Sequence, residues 1–465
     1  MSLSSNPSSF AGAQRSSKDS GLSTLLDANN LDSYVLPSAL SVTVARSHKK
    51  SYATSDTYTT LNGNNTISFV LKPGSDYVYG PDSHISFDLT CSLLGATGTN
   101  SITFGRNGSV LNMIKSVRVG HASGTEIEFV DNANLLNMFK VQYERSRSWR
   151  HTKGSAMGMA PFRERQLDTD TEYKGVPNVN QITRPIESRE EDLNNTTTRF
   201  AIPLSILSEL FAGDKLLPPY ALAGMRIELE LEKPTIALQY FVDTEQVPAI
   251  APSTPTVTIS NIEVQLDSHT LTDSVQKALA RMSAQEGLDL HFPSWFHDRH
   301  TMSGTTNTIN ITKALSRVED IRLIPRVVDD YKDDPASMQK QSLSAERYAT
   351  ADAYVGGITS WQIAIGSMFF PSHCVTTAKQ GYLLAQQGLS TDNDISFMEF
   401  RENGLACIRG NMERSQILNG SGIAISATRG ATVNVTSNIG GRSFDLFVKH
   451  TRLLSVFLDN VVVRT

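Results

Sequence analysis

Apolar and polar residues alternate along much of this chain. In "HISFDLTCSLL", Ile85, Phe87, Leu89, Cys91 and Leu93 fall on one side of an extended strand, and Ser86, Asp88, Thr90 and Ser92 on the other. A period of two buries one face and wets the other. In "MRIELELEK", Met225, Ile227, Leu229 and Leu231 alternate with Arg226, Glu228, Glu230 and Glu232 in the same way. "TISFVLKP", "SVRVG" and "TEIEFV" predict further strands, and Asn62-Gly63 and Asn107-Gly108 mark turns. The later part repeats this grammar in "VTISNIEVQL", "NTINITKAL", "VEDIRLIPRVV", "WQIAIGSMFFP", "ISFMEF", "GIAIS", "ATVNVTS" and "SFDLFVKHTRLLSVFLDNVVVRT".

Helical spacing interrupts at a few places. Leu135, Phe139 and Tyr143 recur every four residues in "NANLLNMFKVQYERS". "TDSVQKALARMSAQEG" offers Thr272 as N-cap, Val275, Leu279 and Met282 as an apolar stripe, and Gly287 as a stop. "AKQGYLLAQQGL" reads as another helix. The most informative break is "FAIPLSILSELF". Phe200 and Ile202 alternate like a strand, and Pro203 intervenes. Leu204, Leu207 and Phe211 then recur at helical spacing. Proline cannot donate to a ladder, and its fixed φ suits a helix start. The segment therefore predicts a strand that stops at Pro203. A short helix then turns Leu204, Leu207 and Phe211 inward to cap one end of a sandwich core.

A chain of 465 residues fits two domains of about 200 each. Three prolines in "VPAIAPSTP" make a stiff connector, which sets the expected boundary at residues 248–255. The expected organisation is a flexible arm at 1–35, a first β-sandwich at 36–247, the linker at 248–255 and a second sandwich at 256–465. The polar stretch 144–195 reads as exposed or functional.

Net charge is −5, which disfavours broad nucleic-acid binding, and the nearly neutral arm does not suit genome packing. Cys91, Cys374 and Cys407 are odd in number and far apart, so no disulfide framework is visible. The N-terminus lacks a basic-then-apolar pattern, and no run of eighteen apolar residues occurs. These features predict synthesis inside a cell without a secretory signal and without a membrane span.

Candidate chemistry is sparse. His291, His297 and His300 cluster in "HFPSWFHDRH", but on a strand His297 and His300 point to opposite faces. Aromatic packing with surface imidazoles is the stronger reading than a metal. Asp329, Asp330, Asp333 and Asp334 in "VVDDYKDDP" lack the glycine and distal Glu of a calcium loop. "YERSRSWRHTK" interleaves Tyr143 and Trp149 with Arg145, Arg147 and Arg150. That mixture could stack bases. In an acidic chain it reads better as a loop making protein contacts. No GxSxG elbow, P-loop or GxGxxG occurs, and the sequons read as composition. No cofactor, metal or enzymatic activity is expected.

The stretch "FAIPLSILSELFAGDKLLPPYALAGMRIELELEKP" resembles the late part of the first jelly roll in double jelly-roll major capsid proteins of dsDNA viruses. "WQIAIGSMFFP", the helix after it, "NMERSQILNGSGIAIS" and the long apolar end resemble the polinton-like virus and virophage group. The resemblance implies an all-β fold: two tandem eight-stranded jelly-roll β-sandwiches with short helices between strands. It also implies homotrimeric, pseudo-hexagonal capsomers that tile an icosahedral shell, with penton and minor capsid proteins as further partners and the virion as location. The competing reading is a two-domain β-sandwich that binds or cleaves carbohydrate, because jelly rolls serve both roles. The low aromatic content (8%) gives that reading few sugar-stacking residues.

Overall fold

A computed structural model describes residues 43–92, 101–159, 193–241, 254–327, 357–400 and 407–464, with short breaks inside these spans. The expected arm at 1–35, the acidic stretch "VVDDYKDDP" beyond Val327 and the Pro-rich residues 248–253 lie outside the described residues.

The first sandwich has eight principal strands: β1 (Thr43–Tyr52), β2 (Thr66–Val70), β3 (Tyr77–Ser92), β4 (Ile114–Gly120), β5 (Glu126–Val130), β6 (Thr197–Pro203), β7 (Arg226–Leu231) and β8 (Thr256–Leu271). They form two antiparallel sheets in the orders β1-β8-β3-β6 and β2-β7-β4-β5. Thr57–Thr59 adds to β8 and Leu216–Leu217 to β3.

The second sandwich repeats this wiring with eight more: β9 (Leu288–Thr301), β10 (Thr306–Ile311), β11 (Leu315–Val327), β12 (Ile358–Ile365), β13 (Met368–Val375), β14 (Ile408–Asn411), β15 (Ala431–Ser437) and β16 (Arg442–Val456). The sheet orders are β9-β16-β11-β14 and β10-β15-β12-β13, the first pattern shifted by eight strands. Ile423–Ile425 adds to β11 as Leu216–Leu217 adds to β3, so even the minor strand before the seventh position recurs. Last strand beside first, in two facing sheets, is jelly-roll topology.

Alternation does what period two requires. Ile85, Phe87, Leu89 and Cys91 of β3 are buried, and so are Met225, Ile227 and Leu229 at β7. Val433 and Val435 of β15 pair with Ile363 and Trp361 of β12 inside the second core.

The domain boundary differs from the expected one. The strand after the prolines, β8, pairs with β1 on one side and β3 on the other. It closes the first sandwich and does not open the second. Composition marks where a chain is stiff, whereas strand pairing decides which core a strand serves. The connector is the helix expected at "TDSVQKALARMSAQEG", which spans Asp273–Gln285. It ends at Gly287, whose φ of +77° is left-handed and where a Cβ would meet the Phe457 ring at 2.7 Å.

A second difference is at "ISFMEF", expected as a strand. The Phe400 amide bonds the Ser396 carbonyl, a helical turn. That turn lets Phe397 and Phe400 both pack on Tyr382 at ring distances of 5.5 Å.

Candidate functional site at the seam between the sandwiches

The helix expected at 132–146 spans Ala133–Glu144 (α1) and follows β5. Residues Ala133 to Tyr143 are all buried, apolar and polar alike. An amphipathic helix on one sandwich would keep a wet side. This one keeps almost none, and at its C-terminal end the second sandwich meets it through Tyr143 and Glu144.

"FAIPLSILSELF" packs beside it. Pro203 ends β6, Leu204–Leu207 forms one helical turn (α2), and Glu209–Phe211 a 3₁₀ turn. Leu204, Leu207 and Phe211 are buried in the core cluster. The exit of this segment has a second use. Glu209 Oε1 accepts from Lys140 Nζ of α1 at 2.6 Å and from Trp295 Nε1 of β9 at 3.1 Å. One carboxylate thus ties the end of the first sandwich to the second.

Three further contacts cross the seam. Arg322 of β11 donates from Nη2 to Glu144 Oε1 at 2.6 Å and lies 4.8 Å from the centre of the Trp295 ring system. Arg452 of β16 donates to the Ile127 carbonyl of β5 at 2.6 Å. His297 of β9 sits between Asp131 Oδ2 at 3.3 Å and Asp445 Oδ1 at 3.0 Å, one carboxylate from each sandwich. Behind the contact surface, Asp320 accepts from Arg322 Nε at 2.9 Å and from Arg409 Nε at 2.9 Å. Arg409 Nη1 in turn donates to the carbonyls of Ala385 and Gln387, each at 2.7 Å. Those carbonyls end the helix Ala378–Gln386 (α3).

Burial and pairing compete at these groups. Burial pushes the Asp320 carboxyl up, but Arg409 and Arg322 outweigh it and hold it below the usual range. Burial alone would lower the His297 imidazole. Its bonds to Asp131 and Asp445 outweigh that, so its pKa is raised above 6.5. Glu128 of β5 goes the other way. Burial outweighs the hydrogen bond that Ser208 donates to it, and its pKa rises to about 7.

The expected interface residues divide. "SRSWRH" is helical over Arg147–His151, with Ser146 as N-cap accepting from the Trp149 amide at 3.1 Å. Tyr143 is buried against Cys407, with Oη 3.7 Å from Sγ. Arg150 is buried and donates to Gln142. These two serve this chain's own packing, since the stretch is helical and turns them inward. Arg145, 5.4 Å from the Trp149 ring, Arg147 and Trp149 keep partial exposure. The three histidines of β9 do not converge. His291 is exposed, His297 is in the seam, and His300 pairs with Asp298 at 3.2 Å. The expectation of a surface imidazole fails for His297, because the second sandwich's outer face is covered. Among the described residues no group of His, Cys, Asp and Glu has metal-binding geometry, and no helix is long and apolar enough to cross a membrane.

Sequence reasoning missed Lys140, Glu144, Glu209, Asp320, Arg322, Arg409 and Asp445. Charged residues such as Asp320 and Arg322 sit at the polar positions of an alternating pattern, which by itself reads as solvent-facing.

The fold defined by the two shifted strand orders is the double jelly roll. No protein-family model matches the sequence, and no curated protein sequence matches it. Solved structures do. A chain of the Sputnik virophage structure matches with a TM-score of 0.60 at 11% identity, covering 100% of this chain and 94% of that one. VP54 of PBCV-1, fitted into a reconstruction of the virophage Sputnik, matches with a TM-score of 0.58 at 12% identity, covering 93% and 99%. The Faustovirus major capsid protein matches with a TM-score of 0.58 at 9% identity, covering 91% and 92%. At these identities the likeness is one of fold, over nearly the whole of each chain.

Proposed function

We propose that this chain is a structural major capsid protein, which self-assembles as trimeric, pseudo-hexagonal capsomers into an icosahedral shell around a dsDNA genome. The observation that carries the reading is the seam. Two jelly rolls are joined side by side through a contact that buries a helix and a network of ion pairs. Flexible tandem modules would have no use for such a contact. Two sandwiches held in one body give a six-lobed ring when three copies close. The full-length likeness to viral capsid structures supports the same reading. It assigns the chain no cofactor and no catalysis. Its first partner is itself, its later partners are penton and minor capsid proteins, and its location is the virion. Arg145, Arg147 and Trp149 remain candidates for contacts between subunits, through residue types that dominate hot spots.

Negative-stain microscopy of the purified protein tests this reading. Six-lobed particles of three chains are expected. Isolated two-lobed particles at every concentration would overturn it.

A further inference from the structure

The seam holds two ionisable groups whose surroundings suit only one protonation state. His297 of β9 meets a carboxylate through each ring nitrogen. Nδ1 lies 3.3 Å from Asp131 Oδ2 of the first sandwich, and Nε2 lies 3.0 Å from Asp445 Oδ1 of the second. The Asn132 side-chain amide is 3.1 Å from the same Nε2. A neutral imidazole has one N–H and one lone pair, so it donates to one carboxylate and turns the lone pair toward the other. Only the imidazolium donates to both. The other charges here are Arg299 of β9, which donates to Asp445 at 2.8 Å, and Lys115 of β4, whose charge acts on Asp131. Each stays with the carboxylate of its own sandwich, so the imidazolium is what joins the two bodies at this point.

Three residues before Asp131, Glu128 of β5 is fully buried. Ser208 donates to its Oε2, and its Oε1 has no hydrogen-bond partner among the described residues. An ionised carboxylate offers about four acceptor sites, and a single hydroxyl meets one of them. The charged groups that face it are Glu209 beyond α2, Lys140 of α1 and, from the second sandwich, Arg452 of β16. Lys140 is already paired with Glu209 at 2.6 Å, and Arg452 donates to the Ile127 carbonyl at 2.6 Å. Neither cation bonds Glu128 directly, so the protonated carboxyl is the form that fits.

We infer that the seam is a proton-operated latch: His297 and Glu128 hold the two sandwiches together while both carry a proton, and loss of those protons loosens the junction without unfolding either sandwich. Opening returns both groups to water, and the linkage then runs the same way for each. The His297 contribution is full below pH 6.5 and is lost as pH rises past its raised value in the closed seam. Glu128 ionises from pH 4.5 once exposed but only near pH 7 while enclosed, so rising pH favours opening across that range. The latch works within one chain, whatever the number of chains in the ring.

The three cysteines report on it separately. Cys407 is buried at the seam, with Sγ 3.7 Å from Tyr143 Oη of α1. Cys91 is buried in the core of the first sandwich, and Cys374 of β13 is exposed. The full wild-type chain is treated with iodoacetamide from pH 6 to pH 9, and each site is followed by peptide mass spectrometry. Dividing by the Cys374 rate removes the pH dependence of the thiol chemistry itself. The Cys407-to-Cys374 ratio should rise about 10-fold over this range while Cys91 stays protected. Joint replacement His297→Gln and Glu128→Gln should abolish the rise. Asp131→Asn, at a side chain 42% exposed and so tolerant of change, should shrink it. A flat ratio in the wild type would overturn the latch. So would Cys91 and Cys407 rising together, since the sandwiches would then be unfolding and not parting. A full wild-type rise in Asp131→Asn would overturn the part assigned to His297.

Discussion

The sheets β1-β8-β3-β6 and β9-β16-β11-β14 have the same strand order, and both carry charged residues on their outer faces, yet their surroundings differ. On the second sheet, Asp320, Arg322 and Lys449 lie beneath the first sandwich. On the first, the Arg46, Lys50 and Arg199 side chains stay about half exposed where they pair with Asp267 and Glu263. The difference teaches that topology sets where a charge stands, while the neighbouring body sets what it is worth. An ion pair in water contributes about 0–1 kcal/mol. Breaking a buried one strands a charge and costs about 3–5 kcal/mol.

The sharpest way to break the comparison is Arg322→Ala. It takes from Glu144 its Arg322 partner and leaves a cavity beside Asp320, which keeps Arg409 at 2.9 Å, and a loss of about 3 kcal/mol in denaturant unfolding is expected. Lys50→Ala on the first sheet should cost about 0–1 kcal/mol, since Glu263 keeps Arg199 at 2.8 Å. Equal effects would show that the seam is not sealed. Leu207→Asp comes next. It places an unpaired carboxylate in the core beside Phe211, and loss of soluble expression is expected. Normal yield with unchanged melting would place that face in solvent.

The legible part of this fold was its strands. Ile85 to Cys91 and Met225 to Leu229 gave their buried faces through period two alone, and Pro203 announced its strand end and helix start. The seam was not legible, because Glu209 and Arg322 occupy positions that solvent and a second sandwich satisfy equally well. Only the folded chain shows which of the two covers them. The boundary at the prolines failed for a related reason. Closure of the first sheet by β8 is a long-range pairing, and no local composition reports it.

Two smaller effects depend on pH. His297 has a raised pKa, so it binds its proton more tightly in the folded state. Its contribution is fully present below pH 6.5 and is lost as pH rises through the higher folded value. Unfolding followed from pH 6 to pH 9 should lose this increment in the wild type but not in His297→Gln. Glu128 has the opposite consequence for a carboxyl. Its pKa is 4.5 when exposed and about 7 in the fold, so stability declines from pH 4.5 toward pH 7. Glu128→Gln should remove that decline and gain about 1–3 kcal/mol above pH 7. A pH-independent difference between Glu128→Gln and the wild type would assign Glu128 a different role.

A small effect on folding is also expected of Trp149→Ala. The indole is half-buried against Arg145, so a stability change of about 1 kcal/mol is expected. If this stretch also touches a neighbouring subunit, the variant will assemble more weakly while both sandwiches stay folded.

In a closed ring of three copies, one chain supplies two of six lobes. The mass of the purified wild-type protein by light scattering, measured over a wide concentration range, tests this most directly. The prediction is a stable species with the mass of three 50.9 kDa chains, which becomes monomer only on dilution. A single 50.9 kDa chain at every concentration would contradict it.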